Sequence, residues 1–174
     1  HEEHVLKLPD TYIGATESDI VELWYYNKDE NRMNKRPINY IPGEYKLFDE
    51  LIVNAYDQYI RLKETQQTDL NPVKNIKITT DMSTGEITVY NDGEGIRIDM
   101  DEKEKKYIPE LIFGELLTSS NYNSNELKHV GGKNGYGAKL VNIFSKKFTI
   151  ETVDNQNKFS LTFYDNKTRK DKPK

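Results

Sequence analysis

Residues 42–64 read PGEYKLFDELIVNAYDQYIRLKE, and this stretch decides how the rest of the chain is arranged. Its apolar side chains recur at intervals of three and four, which predicts a helix from about Glu44 to Glu64 with one buried stripe. At 100° per residue, a polar set falls within about 60° on the opposite side. The stripe comprises Phe48, Leu51, Ile52, Ala55, Tyr59 and Leu62, and the polar set comprises Glu50, Asn54, Asp57 and Arg61.

Strand and helix patterns alternate on both sides of this helix. Together they predict an α+β fold, with helices on one face of a mixed or antiparallel sheet. The predicted elements are an extended or short helical arm over 1–14, a strand over 19–26, a loop over Asn27 to Pro37 and a second short strand. After the long helix come a hairpin of 75–81 and 86–90, a helix starting near Pro109, a long loop from Thr118 to Gly131, a helix over 138–144, and a hairpin of 148–153 and 158–164.

The composition excludes several classes of function. The 174 residues carry a net charge of -4, so this chain has no basic field that would hold a polyanion nonspecifically. Cysteine is absent, which excludes a disulfide framework, a zinc ribbon and a thiol nucleophile. No apolar run approaches the roughly 20 residues that a membrane-spanning helix needs. The first residue is not Met, and the last nine form a charge run that we expect to be solvated, so we interpret the chain as a fragment of one domain.

A cluster of glycines lies directly before the predicted helix of residues 138–144. Gly131, Gly132, Gly135 and Gly137 could let the main chain approach a phosphate, or could form an ordinary glycine-rich turn. The order GxxGxG differs from a dinucleotide fingerprint, and Gly132-Lys133 is followed by Asn134 rather than by the Ser or Thr of a Walker loop. The glycines alone leave both interpretations open.

Two further sets of polar residues are compatible with chemistry. Glu50 and Asn54, one helical turn apart, have the residue types of a water-activating base beside a hard-cation ligand, although a solvated helix face has the same pattern. Asp92, in the string NDGEG at a strand end, could accept a hydrogen bond from an exocyclic amino group or could belong to a plain turn.

Four strings in the chain resemble the eukaryotic type of DNA topoisomerase II, a member of the GHKL superfamily of ATPases. The resemblance extends from about residue 5 to residue 164. The strings are LPDTYIG at 8–14, FDELIVNA at 48–55, LLTSSNY at 116–122 and GGKNGYGAK at 131–139.

The resemblance implies a Bergerat-type ATP site in a two-layer GHKL sandwich, with helices on one face of a mixed sheet. It implies that Glu50 is the base that polarises the attacking water, that Asn54 binds Mg²⁺, and that Asp92 reads the adenine. The other implied ATP contacts are Gly95, Ser119, Ser120, Asn121, Gly132, Lys133, Asn134, Gly135, Tyr136, Gly137, Ala138 and Lys139.

Some positions depart from the family pattern. Glu94 stands where the family commonly has a basic residue, and Tyr56 and Gln58 interrupt the usual continuation Asn-Ala-Ala-Asp-Asn. Many cellular members have Asn in place of Asp92, which offers the same acceptor oxygen. The phosphate contact near residue 94 and the outer edge of the pocket are therefore expected to differ.

The resemblance also implies the role of the whole protein. Mg-ATP binding would close an N-terminal dimer gate and drive DNA strand passage, with DNA held mainly by domains outside this chain and no membrane involved. The division it suggests is an arm (1–15), a GHKL domain (16–165) and a charged tail (166–174). The setting is intracellular: nuclear for a cellular protein, and the cytoplasm or nucleus of the host for a viral one. The fragment alone is expected to bind ATP with little or no turnover, and the alternative is a nucleotide-sensing GHKL module without productive turnover.

Overall fold

In a computed structural model, the structure describes residues 2–64, 70–115 and 136–174. Helices and antiparallel strand pairs alternate along the described chain, which confirms the α+β class. The elements are α1 (Glu2–Lys7), α2 (Pro9–Tyr12), β1 (Asp19–Asn27), β2 (Arg32–Tyr40), α3 (Pro42–Glu64), β3 (Ile76–Asp81), β4 (Glu86–Asn91), α4 (Ile108–Gly114), α5 (Gly137–Ile143), β5 (Lys147–Val153), β6 (Lys158–Tyr164) and β7 (Arg169–Lys170).

The helix α3 begins two residues earlier than the apolar pattern predicts. Pro42 occupies its first turn, where the missing N–H of proline costs no hydrogen bond. Ala55 and Leu62 of the predicted stripe are buried, and Leu47 and Leu51 pack against buried side chains of the strands.

The hairpin of β1 and β2 is longer than the sequence predicts. Most of the polar run from Asn27 to Pro37, expected to be a loop, belongs to β2, which pairs with β1 along nine residues. The turn is short because the Asn27 side chain accepts hydrogen bonds from Asp29 and Glu30 and because Asn31 takes a positive φ of 50°.

The predicted hairpin of β3 and β4 is confirmed. The strands pair in register from Ile76 with Asn91 to Asp81 with Glu86. Gly85 in the turn takes a φ of 71°, and Asp81 accepts hydrogen bonds from Ser83.

The last sheet contains β5, β6 and β7. The predicted pairing of β5 with β6 is confirmed, and Phe148, Ile150, Phe159, Leu161 and Phe163 form the main buried cluster together with Val141 of α5. Within the described residues the sheets are separate and antiparallel, in the order β1-β2, β3-β4 and β5-β6-β7.

The charged segment after β6 is not a free solvated tail. Its residues pair with β6, ending with mutual backbone hydrogen bonds between Ser160 and Lys174. Two of its lysines form ion pairs with acidic residues from earlier elements: Lys170 with Glu110 of α4, and Lys167 with Glu2 of α1. Long-range pairing of this kind satisfies charges that the sequence alone presents as a run of solvated groups.

The helix α5 lies at the centre of the packing. Its Val141 belongs to the sheet cluster, whereas Leu140 and Ile143 pack with Val5 of α1 and with Ile13. The N-terminal arm therefore contacts the same helix that packs on the last sheet. None of the described helices is both long and apolar enough to cross a membrane.

Candidate functional site

A broad cleft of about 2800 Å³ runs between α3, β4, α5 and β5. Its lining includes every predicted site residue that falls in the described ranges: Glu50, Asn54, Asp92, Gly95, Tyr136, Gly137, Ala138 and Lys139. Three clusters that are distant in the sequence thus meet at one cavity. The predicted contacts Ser119, Ser120, Asn121, Gly132, Lys133, Asn134 and Gly135, and the whole of the predicted long loop, lie outside the described residues.

Glu50 lies at the junction of α3 and α5. Its side chain is 20% exposed, and Oε1 lies 2.5 Å from the Lys46 Nζ, one turn earlier on α3. This hydrogen bond raises the pKa of Lys46. A Cβ added to Gly137 would lie 1.7 Å from the Glu50 Oε2, so a larger residue there would force the Glu50 side chain to move. The carboxylate is therefore held between Lys46 and the first residue of α5.

Asn54 follows Glu50 by one turn on the same face of α3. Its Nδ2 donates a 2.5 Å hydrogen bond to the Glu50 carbonyl oxygen, and within 2–64, 70–115 and 136–174 no hydrogen bond to its Oδ1 is present. The described residues contain no group of three or more His, Cys, Asp or Glu side chains that could hold a metal ion. An amide oxygen suits Mg²⁺, but the remaining ligands would have to be water and ligand oxygens.

Asp92 is committed to the backbone of the preceding loop. Its Oδ1 accepts hydrogen bonds of 2.8 Å from the Lys74 and Asn75 N–H groups, and Oδ2 accepts one of 2.7 Å from the Asn75 side chain. The Asn75 and Lys74 donors lower the pKa of Asp92 to about 2. The geometry therefore gives this carboxylate a structural task beside the predicted adenine role.

The neighbouring Asn91 is a cleft residue that the sequence analysis did not single out. It lies at the end of β4 and lines the same cleft, and its Oδ1 accepts only a long hydrogen bond, of 3.3 Å, from the Gly93 N–H. Strand alternation could have identified it, because Val89 and Asn91 are the half-buried residues of β4.

Gly95 has a packing reason for being glycine. A Cβ at this position would overlap the Val153 carbonyl oxygen and would lie 2.7 Å from the Thr152 Oγ1. The segment after it is bonded to the same strand end, since the Ile96 N–H donates to Thr152 Oγ1 over 2.9 Å. Gly95 thus attaches the exit of β4 to β5, whether or not it also touches a ligand.

Lys139 is the most unusual charged group in the cleft. It is 4% exposed, and the described chain offers its ammonium no hydrogen bond or ion pair. Burial lowers the pKa of Lys139 to about 8; repulsion from Lys167 acts in the same direction and attraction to Glu115 opposes it. A buried cation without a bonded partner is costly unless an anion joins it.

Two of the departures from the family pattern, Gln58 and Glu94, contact each other. The Gln58 Nε2 donates a 2.6 Å hydrogen bond to the Glu94 carbonyl oxygen, and the Gln58 Oε1 accepts hydrogen bonds from Arg61. Glu94 also accepts from the Asn71 N–H over 3.3 Å. Burial lowers the pKa of Arg61, and attraction to Glu94 opposes that shift. All four residues of this network line the cleft, and the departures at residues 58 and 94 were the sequence signal for it.

No protein-family model matches the chain. A comparison with known sequences does find similar proteins. It is 48% identical over 174 residues to DNA topoisomerase 2 of Penicillium chrysogenum, and 49% identical over 176 residues to DNA topoisomerase 2 top-2 of Caenorhabditis elegans. Each alignment covers 99% of this chain but only 10% and 11% of those proteins.

Solved structures agree with the sequence comparison. The ATPase region of Saccharomyces cerevisiae topoisomerase II matches with a TM-score of 0.83 at 41% identity, covering 100% of this chain and 44% of that one. The ATPase and transducer domains of Balamuthia mandrillaris topoisomerase II match with a TM-score of 0.83 at 43% identity. The ATPase domain of Thermus thermophilus gyrase B shares the fold, with a TM-score of 0.62 at 21% identity. The chain spans less than half of the solved topoisomerase II regions and about a tenth of the full-length relatives.

Proposed function

Because this chain belongs to the family of eukaryotic type II DNA topoisomerases, within its ATPase region, we propose that the cleft binds Mg-ATP and that this binding drives the enzyme's DNA strand passage. The observation that carries the proposal is the buried ammonium of Lys139, which has no hydrogen-bond or ion-pair partner among the described residues and lies in the cleft that Glu50 and Asn54 also line. A triphosphate supplies the anionic charge that this ammonium lacks.

Glu50 is the proposed general base. Its carboxylate polarises the water that attacks the γ-phosphate, a role that typically contributes about 10² to 10⁴ in rate. Lys46 and Gly137 support this role by fixing where the carboxylate lies. The carboxylate is shielded but not sealed from solvent, as a base that receives a water molecule requires.

Asn54 is the proposed ligand of Mg²⁺ through its Oδ1. The hydrogen bond from Nδ2 to the Glu50 carbonyl orients the amide so that its oxygen is the atom left to bind a cation. When bound, Mg²⁺ would neutralise part of the phosphate charge. Asn54 is thereby one of the few protein ligands that such an ion takes.

The adenine end of the cleft is assigned to β4 and its exit. Asp92 is the acceptor that the family resemblance implies, and Asn91 is a second candidate, favoured because its amide is less committed to other hydrogen bonds. Gly95, Tyr136, Gly137 and Ala138 are proposed to contact the nucleotide, together with the predicted contacts outside the described residues.

The activity of the whole protein follows as a proposal from the family. Nucleotide binding closes a gate between two copies of the chain, and DNA is held by parts of the protein beyond these residues. The setting is intracellular, and nuclear in a cellular source. A sensing module without turnover is not supported by the similarity to topoisomerase II ATPase regions.

The test is calorimetric titration of this chain with a nonhydrolysable ATP analogue, with and without Mg²⁺. We expect one analogue per chain and tighter binding with Mg²⁺. Glu50→Gln should keep this affinity and, in the full-length protein, lower ATP turnover by about 10² or more. Absence of binding to the unsubstituted chain, or unchanged turnover in the variant, would contradict the proposal.

A further inference from the structure

The loop that leaves β4 contacts two other parts of the fold. We call residues 91–95 the β4 exit loop. On one side it is bonded to the segment before β3, because the Glu94 N–H donates to the Asn71 carbonyl oxygen over 2.8 Å. On the other side it packs on α3, where a Cβ added to Gly93 would lie 3.1 Å from the Leu62 Cδ1. The β4 exit loop therefore lies between the segment before β3 and the last turns of α3.

Gln58 provides a direct hydrogen bond between α3 and this loop. Its Nε2 donates to the Glu94 carbonyl oxygen over 2.6 Å, and its Oε1 accepts hydrogen bonds of 3.1 and 2.8 Å from the Arg61 Nε and Nη2. Both polar ends of the amide are thus engaged, and Gln58 and Glu94 are half-buried. A side chain whose donor and acceptor both have partners is held in one orientation. The hydrogen bond therefore fixes the loop backbone relative to the helix.

The same side of α3 carries the residues proposed for the phosphate end of the site. Glu50, Asn54 and Gln58 follow one another at intervals of four residues, so they lie along one side of the helix. At 1.5 Å per residue, Gln58 lies about 12 Å along the helix axis from Glu50 and about 6 Å from Asn54. All three residues line the cleft. The helix therefore extends from the proposed general base to the β4 exit loop.

The β4 exit loop carries the residues proposed to contact the base. Asn91 and Asp92 are its first two residues, and both line the cleft. The contacts between the loop and α3 set how far these two residues lie from Asn54. A nucleotide that binds at both ends of the cleft requires this distance to match the ligand. A displaced loop would therefore lose base contacts while the phosphate contacts on α3 stay in place.

We propose that Gln58 is a positioning residue for base recognition. By holding the Glu94 carbonyl group, it keeps Asn91 and Asp92 at the distance from Asn54 that a bound nucleotide spans. Gln58 acts through the loop, so it contributes to affinity for the base and not to affinity for the phosphates. The inference rests on the proposed function, because it assigns a further residue to the same site.

The test is Gln58→Glu, which keeps the size of the side chain and an acceptor for Arg61 but replaces the donor to the Glu94 carbonyl with a carboxylate oxygen. Two oxygens that both accept hydrogen bonds repel each other, so we expect the loop to move away from α3. Calorimetry on the full-length protein with Mg²⁺ compares a nonhydrolysable ATP analogue with ribose 5-triphosphate, which has the phosphates but lacks the base. The variant should bind the ATP analogue at least tenfold more weakly and ribose 5-triphosphate equally well. Equal losses for both ligands, or no loss for the ATP analogue, overturn the proposal.

Steady-state ATP turnover of the full-length protein gives a second readout, which a general loss of structure would not reproduce. We expect Gln58→Glu to raise the KM for ATP at least tenfold and to leave kcat within about twofold, because Glu50 and Asn54 keep their positions. A fall in kcat with an unchanged KM overturns the proposal.

Tyr56→Glu is the matched control for the added charge. It places a carboxylate on α3 two residues earlier, at a side chain that is 52% exposed and does not line the cleft. Its KM and kcat should stay within about twofold of those of the unsubstituted protein. Equal effects of Tyr56→Glu and Gln58→Glu overturn the proposal, because the added charge alone then explains the loss. An unsubstituted protein that does not bind the ATP analogue contradicts the nucleotide site itself, whereas unchanged binding by Gln58→Glu overturns only the role of Gln58.

Discussion

At the scale of single residues, Lys139 links stability to ligand binding. The sequence indicates a lysine after a glycine cluster, but not that its side chain is buried, because the groups that surround it come from other parts of the chain. A buried ammonium makes the ligand-free protein less stable than an apolar residue of the same length would. The cost is offset when an anion binds.

Lys139→Met should therefore raise stability without nucleotide and abolish most of the affinity for the ATP analogue. We expect a gain of about 1–2 kcal/mol at pH 7, less than the full pKa shift because the ammonium lies at a solvent-filled cleft. The folded-state pKa of about 8 is below the ordinary 10.5, so the unfolded chain binds more protons between these values. The stability of the unsubstituted chain then rises with pH across this window, and the stability advantage of Lys139→Met over it shrinks. Urea unfolding of the unsubstituted chain and of Lys139→Met at pH 7.5, 8.5 and 9.5 measures their free energies of unfolding. A difference between the two that does not change with pH would contradict the lowered pKa of Lys139.

Asp92 and Asn91 should be separable by their effects on stability and on binding. Asp92→Ala removes the acceptor for the Lys74 and Asn75 donors, so we expect a lower Tm, together with weaker analogue binding if the carboxylate also reads the base. Because the pKa of Asp92 is lowered to about 2, its contribution is present above pH 3.8 and is lost as the pH falls through 2.

Asn91→Ala should instead weaken analogue binding at least tenfold with little change in Tm. Thermal unfolding and calorimetry on both variants supply the comparison. Unchanged affinity in both would remove this strand end from the base site. The sequence could not distinguish the two neighbours, because the partners of Asp92 lie 17 and 18 positions earlier.

At the scale of elements, the junction of β4 with β5 depends on one glycine. Gly95→Ala should destabilise the fold by about 3 kcal/mol, because the new Cβ meets a backbone carbonyl that cannot turn away. Gly85→Ala is the control: it has a φ of 71° but open space around it, so its cost should stay near 1 kcal/mol. Chemical unfolding of both variants measures the two losses in free energy of unfolding. Equal losses would show that the backbone at residue 95 has room for a Cβ.

The elements with one buried face were those that the sequence predicted well. The α3 stripe and the alternating Phe148, Ile150, Phe159 and Leu161 of β5 and β6 gave clear periods because burial selects apolar residues on one side. In contrast, β2 has polar residues on both faces, and β7 consists of Arg169 and Lys170. Their pairing depends on a partner strand, which local periodicity cannot reveal.

At the scale of the whole molecule, the fold and the convergence of the motifs were predictable, and the role of the charged C-terminal segment was not. The order of the four family strings indicated the ATPase fold, and their described parts line one cleft. The ion pairs of Lys167 and Lys170 with α1 and α4 join elements that are far apart in the sequence.

Lys170→Ala should destabilise the chain by about 2–3 kcal/mol, because it leaves the Glu110 carboxylate, 4% exposed, without its ion-pair partner. The neighbouring Lys172 is exposed, so Lys172→Ala should change stability by no more than about 0.5 kcal/mol. Urea unfolding of the two variants at pH 7.5 measures how much stability each one loses. Equal effects would mean that the segment contributes through its backbone pairing alone.

The pairing of Glu2 with Lys167 has a consequence for how the protein is made. The two residues are separated by 165 positions, so the first helix leaves the ribosome long before its ionic partner is synthesised. Contacts of such high sequence separation form late in folding. Val5 of the same arm packs against Leu140 and Ile143 of α5, so its side chain stays unburied, and open to chaperones, until α5 has been synthesised.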